Sequence, residues 1–136
     1  MDCIFCKIIQ GEIPAKIIKE TEKSLAFLDA FPLTKGHTLV IPKMHYEKIQ
    51  DMSTEDNSDL FETVHKVSAK VDKITNATLI AIHNGKQSGQ EIPHLHVHLI
   101  PRSPEDSAGP VHSMFKETPK LSEEDINELY EKLKES

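Results

Sequence analysis

The sequence predicts an α+β fold, an antiparallel β-meander sheet with one long helix, a short N-terminal helix and a C-terminal helix. Three observations carry that expectation. Short β-branched runs come in sequence-adjacent groups, at 17–18, 24–29 and 37–41 and again at 78–83 and 94–100. A single long stretch of helical periodicity, between Ser53 and Ile74, separates the two groups. No strand–helix–strand unit repeats, which speaks against a wound parallel sheet.

The elements follow in order. Cys3 to Ile9 is mostly apolar and makes a short helix, stopped by Gly11 and Pro14. Ile17–Ile18 and Ser24 to Asp29 read as strands; in the second, period two sets Leu25, Phe27 and Asp29 on one face. Phe31-Pro32-Leu33-Thr34-Lys35-Gly36 is a turn-bearing loop, and His37 to Ile41 is a strand closed by Pro42. In the long helix Leu60, Phe61, Val64, Val67, Val71 and Ile74 form the apolar stripe, and Ser53 with Asp56 caps its start. Thr78 to His83 returns to strand, Asn84 to Glu91 is a polar loop, and His94 to Ile100 is a strand between Pro93 and Pro101. A last amphipathic helix starts at Ser122, its stripe being Ile126, Leu129, Tyr130 and Leu133.

At 136 residues the chain is long enough for one domain. Residues 1–102 hold the patterned core, and 103–136 form a loop and helix packed on it or appended to it. A net charge of −6 excludes nucleic-acid polymers and anionic membranes as partners, because counterion release needs a basic surface. It leaves a small anionic ligand open, since that responds to the local field. No apolar run is long enough to span a membrane and Met1-Asp2-Cys3 starts no signal peptide, so a cytoplasmic protein is expected. The unusual count is histidine: eight, against five Phe, two Tyr and no Trp.

Three of the eight alternate in His94-Leu95-His96-Val97-His98-Leu99-Ile100. On a strand, period two puts the imidazoles on one face and the aliphatics on the other; on a helix the rings would spread over about 200°. A row of imidazoles suits a transition-metal site or a nucleophile and acid–base array around an anion. Asn84, Gly85, Gly89 and Gln90 just ahead offer backbone N–H and amide groups that suit phosphate oxygens, which favours the second option. Cys3 and Cys6 form a C-x-x-C pair, which serves half of a tetrahedral metal site, a redox couple, or neither.

The histidine segment resembles the H-φ-H-φ-H-φ-φ signature of the histidine triad (HIT) family of nucleotide hydrolases and transferases. Further landmarks agree: Cys3-Ile4-Phe5-Cys6-Lys7-Ile8-Ile9, Ile13-Pro14-Ala15, Phe27-Leu28-Asp29, and Gly36-His37-Thr38-Leu39-Val40-Ile41-Pro42-Lys43 with His45. The resemblance runs from about Cys3 to Arg102, makes residues 1–102 a HIT domain with a HIT-like fold, and points to the nucleoside phosphoramidase branch and its microbial relatives.

The resemblance implies cleavage at the α-phosphate of nucleoside 5′-phosphoramidates or related adenylates, through a nucleotidyl-histidine on His96. His98 would donate to phosphate oxygens and His37 would help hold the array. Asn84 and Gln90 would line the phosphate and leaving-group side, and Asp29 would take the ribose hydroxyls. Phe5, Ile8, Phe27 and Leu28 would wall the base of a purine, AMP-like nucleotide. One structural zinc per chain would sit on Cys3, Cys6, His45 and His94, with no organic cofactor, and the chain would be a homodimer. Glu91 stands where many relatives carry Ser or Thr, so a carboxylate is expected beside the phosphate site. His65, His83 and His112 receive no role and are expected to be structural or solvated. Two other readings are a dinucleoside polyphosphate hydrolase and a nucleotide-binding scaffold with little catalysis.

Overall fold

The structure, a computed structural model, describes residues 2–135. Contacts divide the chain into a unit ending at Asp106 and a second starting at Ser107. The first unit holds α1 (Ile4–Ile9), β1 (Ile17–Glu20), β2 (Ser24–Leu28), β3 (Thr38–Pro42), α2 (Thr54–Val71), β4 (Thr78–Ile82) and β5 (Val97–Pro101). Its five strands form one antiparallel sheet in the order β1-β2-β3-β5-β4. The meander is therefore interrupted once: α2 intervenes after β3, and β5 returns to pair between β3 and β4.

Both faces of the central strands are covered, which explains why Ser24–Leu28 and Thr38–Pro42 read as apolar runs without strict alternation. On one face α2 lays Leu60, Val64, Val67 and Val71 over Ala26, Val40, Leu95, Val97 and Leu99. Burial of such an aliphatic chain contributes roughly 1.5–3 kcal/mol, so this face supplies much of the stability. Ser24 and Thr63, both buried there, satisfy each other through a 2.7 Å hydroxyl bond. On the other face Cys3 and Phe5 pack with Leu25, Phe27, Leu39 and Ile41. That face carries the imidazoles, because β3–β5 pairing sets Leu39 beside His98.

β1, β2, β3 and β4 differ from the sequence reading by one or two residues at their ends, and two boundaries differ by more. The regular part of the long helix ends at Val71, and Asp72–Ile74 continue as one 3₁₀ turn. The last strand starts at Val97 rather than His94. Extending the β3–β5 register would set Leu95 opposite Pro42, which has no N–H to give. Leu95 N–H turns instead to the Tyr46 carbonyl (2.7 Å), and the Pro42 carbonyl receives the His94 ring (2.8 Å). Residues 94–96 keep an alternation of side chains while leaving the ladder: Leu95 is fully buried with Val97 and Leu99 beneath α2.

The second unit contains a 3₁₀ turn at Val111–Met114 and α3 (Glu123–Leu133). Ser122 caps α3 reciprocally with Asp125. No helix among the described residues is long and apolar enough to cross a membrane.

Candidate active site and metal centre

The C-x-x-C spacing acts through α1. Cys3 is the N-cap, its sulfur accepting from the Cys6 N–H at 3.4 Å, so both thiols stand at the start of the helix. The loop after β3 brings His45 to them, and the segment ahead of β5 brings His94. Cys3 Sγ lies 3.4 Å from His94 Nδ1, Cys6 Sγ 3.6 Å from the same atom and 3.3 Å from His45 Nδ1, and the two Nδ1 atoms are 3.2 Å apart. A tetrahedral zinc with ordinary Zn–S and Zn–N bonds would set such ligand atoms about 3.3–3.8 Å apart, so the donor set fits. The tautomer fits as well. A carbonyl only accepts, so His94 donates Nε2–H to Pro42 O at 2.8 Å and keeps the Nδ1 lone pair for the cluster. Burial, with His45 and His96 adding to it against the Pro42 bond, lowers His94 to about 4, and a neutral imidazole is the ligating form. Burial, then the hydrogen bond and charge of Cys3, push the Cys6 thiol up to about 11, so thiolates at this spot require a cation. These four residues can hold a metal ion.

Two residues along, the imidazoles are connected differently. The Leu33 N–H donates to His37 Nδ1 at 3.0 Å, which puts the His37 proton on Nε2. That proton points to His98 Nδ1, also at 3.0 Å, and so leaves His98 with its own proton on Nε2. His98 Nε2 is buried and has no hydrogen-bond partner among the described residues, an orphan donor of the kind that marks a ligand site. His96 anchors Nδ1–H on the His94 carbonyl at 2.8 Å, which leaves Nε2 as a lone pair. The His96 and His98 rings are 4.9 Å apart, and Phe5 packs edge-on against both His94 (5.7 Å) and His96 (5.1 Å).

All three rings are held neutral. Burial lowers His37 despite the Asp29 carboxylate, whose Oδ2 is 3.6 Å from His37 Nε2. Burial lowers His96 as well, with the His94 hydrogen bond opposing it. His98 falls to about 4 through burial, then the charges of His96, His37 and His83.

A cavity of about 360 Å³ opens over these rings. Among the sequence-predicted residues it gathers Phe5, Ile8, Phe27, Asp29, His37, His96 and His98. Leu28, Asn84 and Gln90 lie outside its lining. Period two turns Leu28 away from Phe27, and it is 42% exposed. Asn84 accepts from the Ile49 N–H (2.8 Å) and donates to Gln50 Oε1 (3.0 Å). Gln90 accepts from the Gly85 N–H (2.8 Å) and donates to the carbonyls of Glu47 (2.9 Å) and Ile92 (3.1 Å), which orders the loop rather than facing the cavity.

The lining also includes residues to which the sequence assigns no role in binding, among them His83, Phe31 and Leu33, and it includes Glu91, the carboxylate expected beside the phosphate site. For His83 the signal existed. β4 and β5 pair Ala81 with His98 and Ile82 with Val97, so the residue after β4 falls opposite His96. Phe31 and Leu33, 85% and 72% exposed, carry no periodicity because they sit in a loop.

Comparison with known proteins bears on the family and the fold. The family model described as HIT domain matches residues 10–105. The adenosine 5′-monophosphoramidase hnt1 of Schizosaccharomyces pombe is 42% identical over 106 residues, 78% of this chain and 78% of that protein. A crystal structure of a HIT family member from Bacillus subtilis covers 98% of this chain and 95% of its own, at TM-score 0.83 and 34% identity. A zinc-bound histidine triad family protein from Mycobacterium smegmatis is similar at TM-score 0.72 and 35% identity, covering 79% of each chain. The chain belongs to the histidine triad (HIT) family.

Proposed function

We propose that this protein is a nucleotidyl hydrolase that cleaves nucleoside 5′-phosphoramidates or related adenylates, with a purine nucleotide in the cavity. The observation that carries the reading is the His96 ring: Nδ1–H is tied to the His94 carbonyl, and the neutral Nε2 lone pair is left at a cavity of nucleotide size. A neutral imidazole is a competent nucleophile, and two displacements through a covalent intermediate each face a lower barrier than one. Nε2 attacks the α-phosphorus as the bond to the leaving group breaks; water then attacks phosphorus, the P–Nε2 bond breaks and the nucleotide leaves. His98 Nε2–H meets charge on a phosphoryl oxygen, and His37 fixes the tautomer that makes this possible. Phe5, Ile8 and Phe27 wall the base, and Asp29 accepts from ribose hydroxyls.

One zinc per chain on Cys3, Cys6, His45 and His94 completes the reading, supported by the donor distances and by the zinc-bound relative. Bound there, it would cross-link the N-terminal segment to the histidine segment and supply no open coordination position for chemistry. Reduced thiols of this kind belong to a reducing compartment, the cytoplasm. The homodimer keeps its place in the proposal; β4 is an edge strand and its Ile80 is 50% exposed, which leaves apolar surface for a second copy.

The test is a rapid quench with an adenosine phosphoramidate followed by peptide mass spectrometry, expecting a nucleotidyl adduct on His96. Faster turnover of diadenosine tetraphosphate than of the phosphoramidate would move the substrate to dinucleoside polyphosphates. Undiminished turnover by His96→Ala would refute the mechanism.

A further inference from the structure

Most polar groups near the cavity already have protein partners. His37 and His98 bond each other, His96 bonds the His94 carbonyl, and the Asn84 and Gln90 amides are occupied by neighbouring loops. His83 differs. It lines the cavity, and among the described residues neither of its ring nitrogens has a hydrogen-bond partner.

Its position is fixed in three ways. The β4–β5 register, extended by one residue, sets it opposite His96. Its ring meets the His98 ring edge-on, centroids 5.4 Å apart at 76°. Gly89, at φ +111°, lies against it so closely that a Cβ there would stand 3.1 Å from His83 Cδ2 and 3.4 Å from Nε2. Only glycine lets the loop adopt that conformation and close over the ring.

Strand order then gives the ring a side. Phe27 on β2, which walls the base in the reading above, lies across β3 from the β5 imidazoles; His83 follows β4, on the other side of β5. A nucleoside held against Phe27 and Phe5 sends its leaving group toward β4. A simple amine cannot depart from phosphorus as an anion and needs a proton as the P–N bond breaks, and imidazole is the side chain suited to trading one near neutral pH.

We infer that His83 is the general acid that protonates the leaving nitrogen, an inference that rests on the nucleotidyl-transfer reading. The His96 Nε2 electron pair forms the new bond to phosphorus. The P–N bond to the amine breaks with its pair on nitrogen, and the His83 imidazolium gives that nitrogen a proton. The neutral His83 ring then takes a proton from water as the water oxygen bonds phosphorus, and the P–Nε2 bond breaks with its pair returning to His96. The products are nucleotide and amine, and both histidines end as they began.

The experiment compares two substrates that share the AMP moiety: an alkylamine phosphoramidate, and an acyl adenylate whose carboxylate leaves without a proton. For His83→Asn, kcat/KM on the amine substrate falls about 100-fold or more, and the loss is at least about tenfold smaller on the acyl adenylate. Equal losses on both would make His83 a positioning residue and overturn the proposal, as would an undiminished rate on the amine. If His83→Asn fails to fold, His83→Gln carries the same comparison. Trapping the adduct on wild-type His96 separates the two readings: no adduct removes the nucleotidyl mechanism itself, whereas an adduct with equal losses removes only the role of His83.

Discussion

His94 and His98 lie four residues apart, both held neutral by burial, and their free nitrogens offer opposite things. His94 spends its N–H on the Pro42 carbonyl and presents a lone pair to two thiols and a second imidazole. His98 spends its lone pair on His37 and presents an N–H to the cavity. Between them His96 anchors its N–H on backbone and offers a lone pair to the cavity. One end therefore suits a cation, the other an anion, and the middle an electrophilic phosphorus. What separates the three is which neighbour takes the other nitrogen, so the tautomer, rather than the residue type, sets the partner.

The largest expected effect comes from breaking the middle. His96→Ala lowers kcat/KM on the phosphoramidate by about 10³-fold or more, as removal of a covalent nucleophile does elsewhere. Its metal content, measured by atomic emission, stays at that of the wild type, because His96 supplies no donor to the cluster. Loss of metal in that variant would mean the two ends are a single site.

Breaking the cysteine end reverses the pattern. With the proposed zinc bound, Cys6→Ser drops metal from one per chain toward zero and lowers the unfolding midpoint by about 10 °C, since a metal would no longer join α1 to the His94 segment. Nucleotide KM rises as well, because Phe5 lies between the two cysteines and packs on His96. A variant with full metal and an unchanged midpoint would dismiss the cluster as a metal centre.

The pH dependence of stability tests the shared burial. His98 has a folded value near 4 against an ordinary 6.5. Between those values the unfolded chain binds more protons than the folded one, so the stability is complete above about pH 6.5 and is lost as pH falls toward 4. His37, lowered mainly by burial, acts with the same sign. From about pH 7 to about pH 4.5 the midpoint of the wild type should fall more steeply than that of His98→Asn. A parallel fall in the two proteins would show that His98 is protonated without penalty.

How much of this was legible in sequence follows from periodicity. α2 follows from the repeat of 3.6 residues that burial imposes, α3 carries the same repeat with its stripe exposed, and the strand period separates Leu95, Val97 and Leu99 from the three imidazoles. The Cys3, Cys6, His45 and His94 set was legible only through family resemblance, since spacing alone left a redox pair open. What the sequence hid was loop geometry. Asn84 and His83 are adjacent, and a polar amide in a glycine-bearing loop looked the better phosphate ligand. β4 ends at Ile82, and the next residue, His83, lines the cavity while the Asn84 amide turns to Ile49 and Gln50.

That reversal gives the smallest effect, and a sharp one. Asn84→Ala loses two exposed hydrogen bonds, worth about 1 kcal/mol together, with a correspondingly small drop in unfolding midpoint. Its nucleotide KM should shift far less than that of Asp29→Ala, whose carboxylate lines the cavity and also holds the Phe31 N–H at 2.9 Å. Steady-state kinetics on the two variants decides the matter. A KM increase in Asn84→Ala equal to that in Asp29→Ala would mean that the loop turns over when nucleotide binds, exchanging the contacts to Ile49 and Gln50 for phosphate, and would put the amide rather than the imidazole on the leaving-group side.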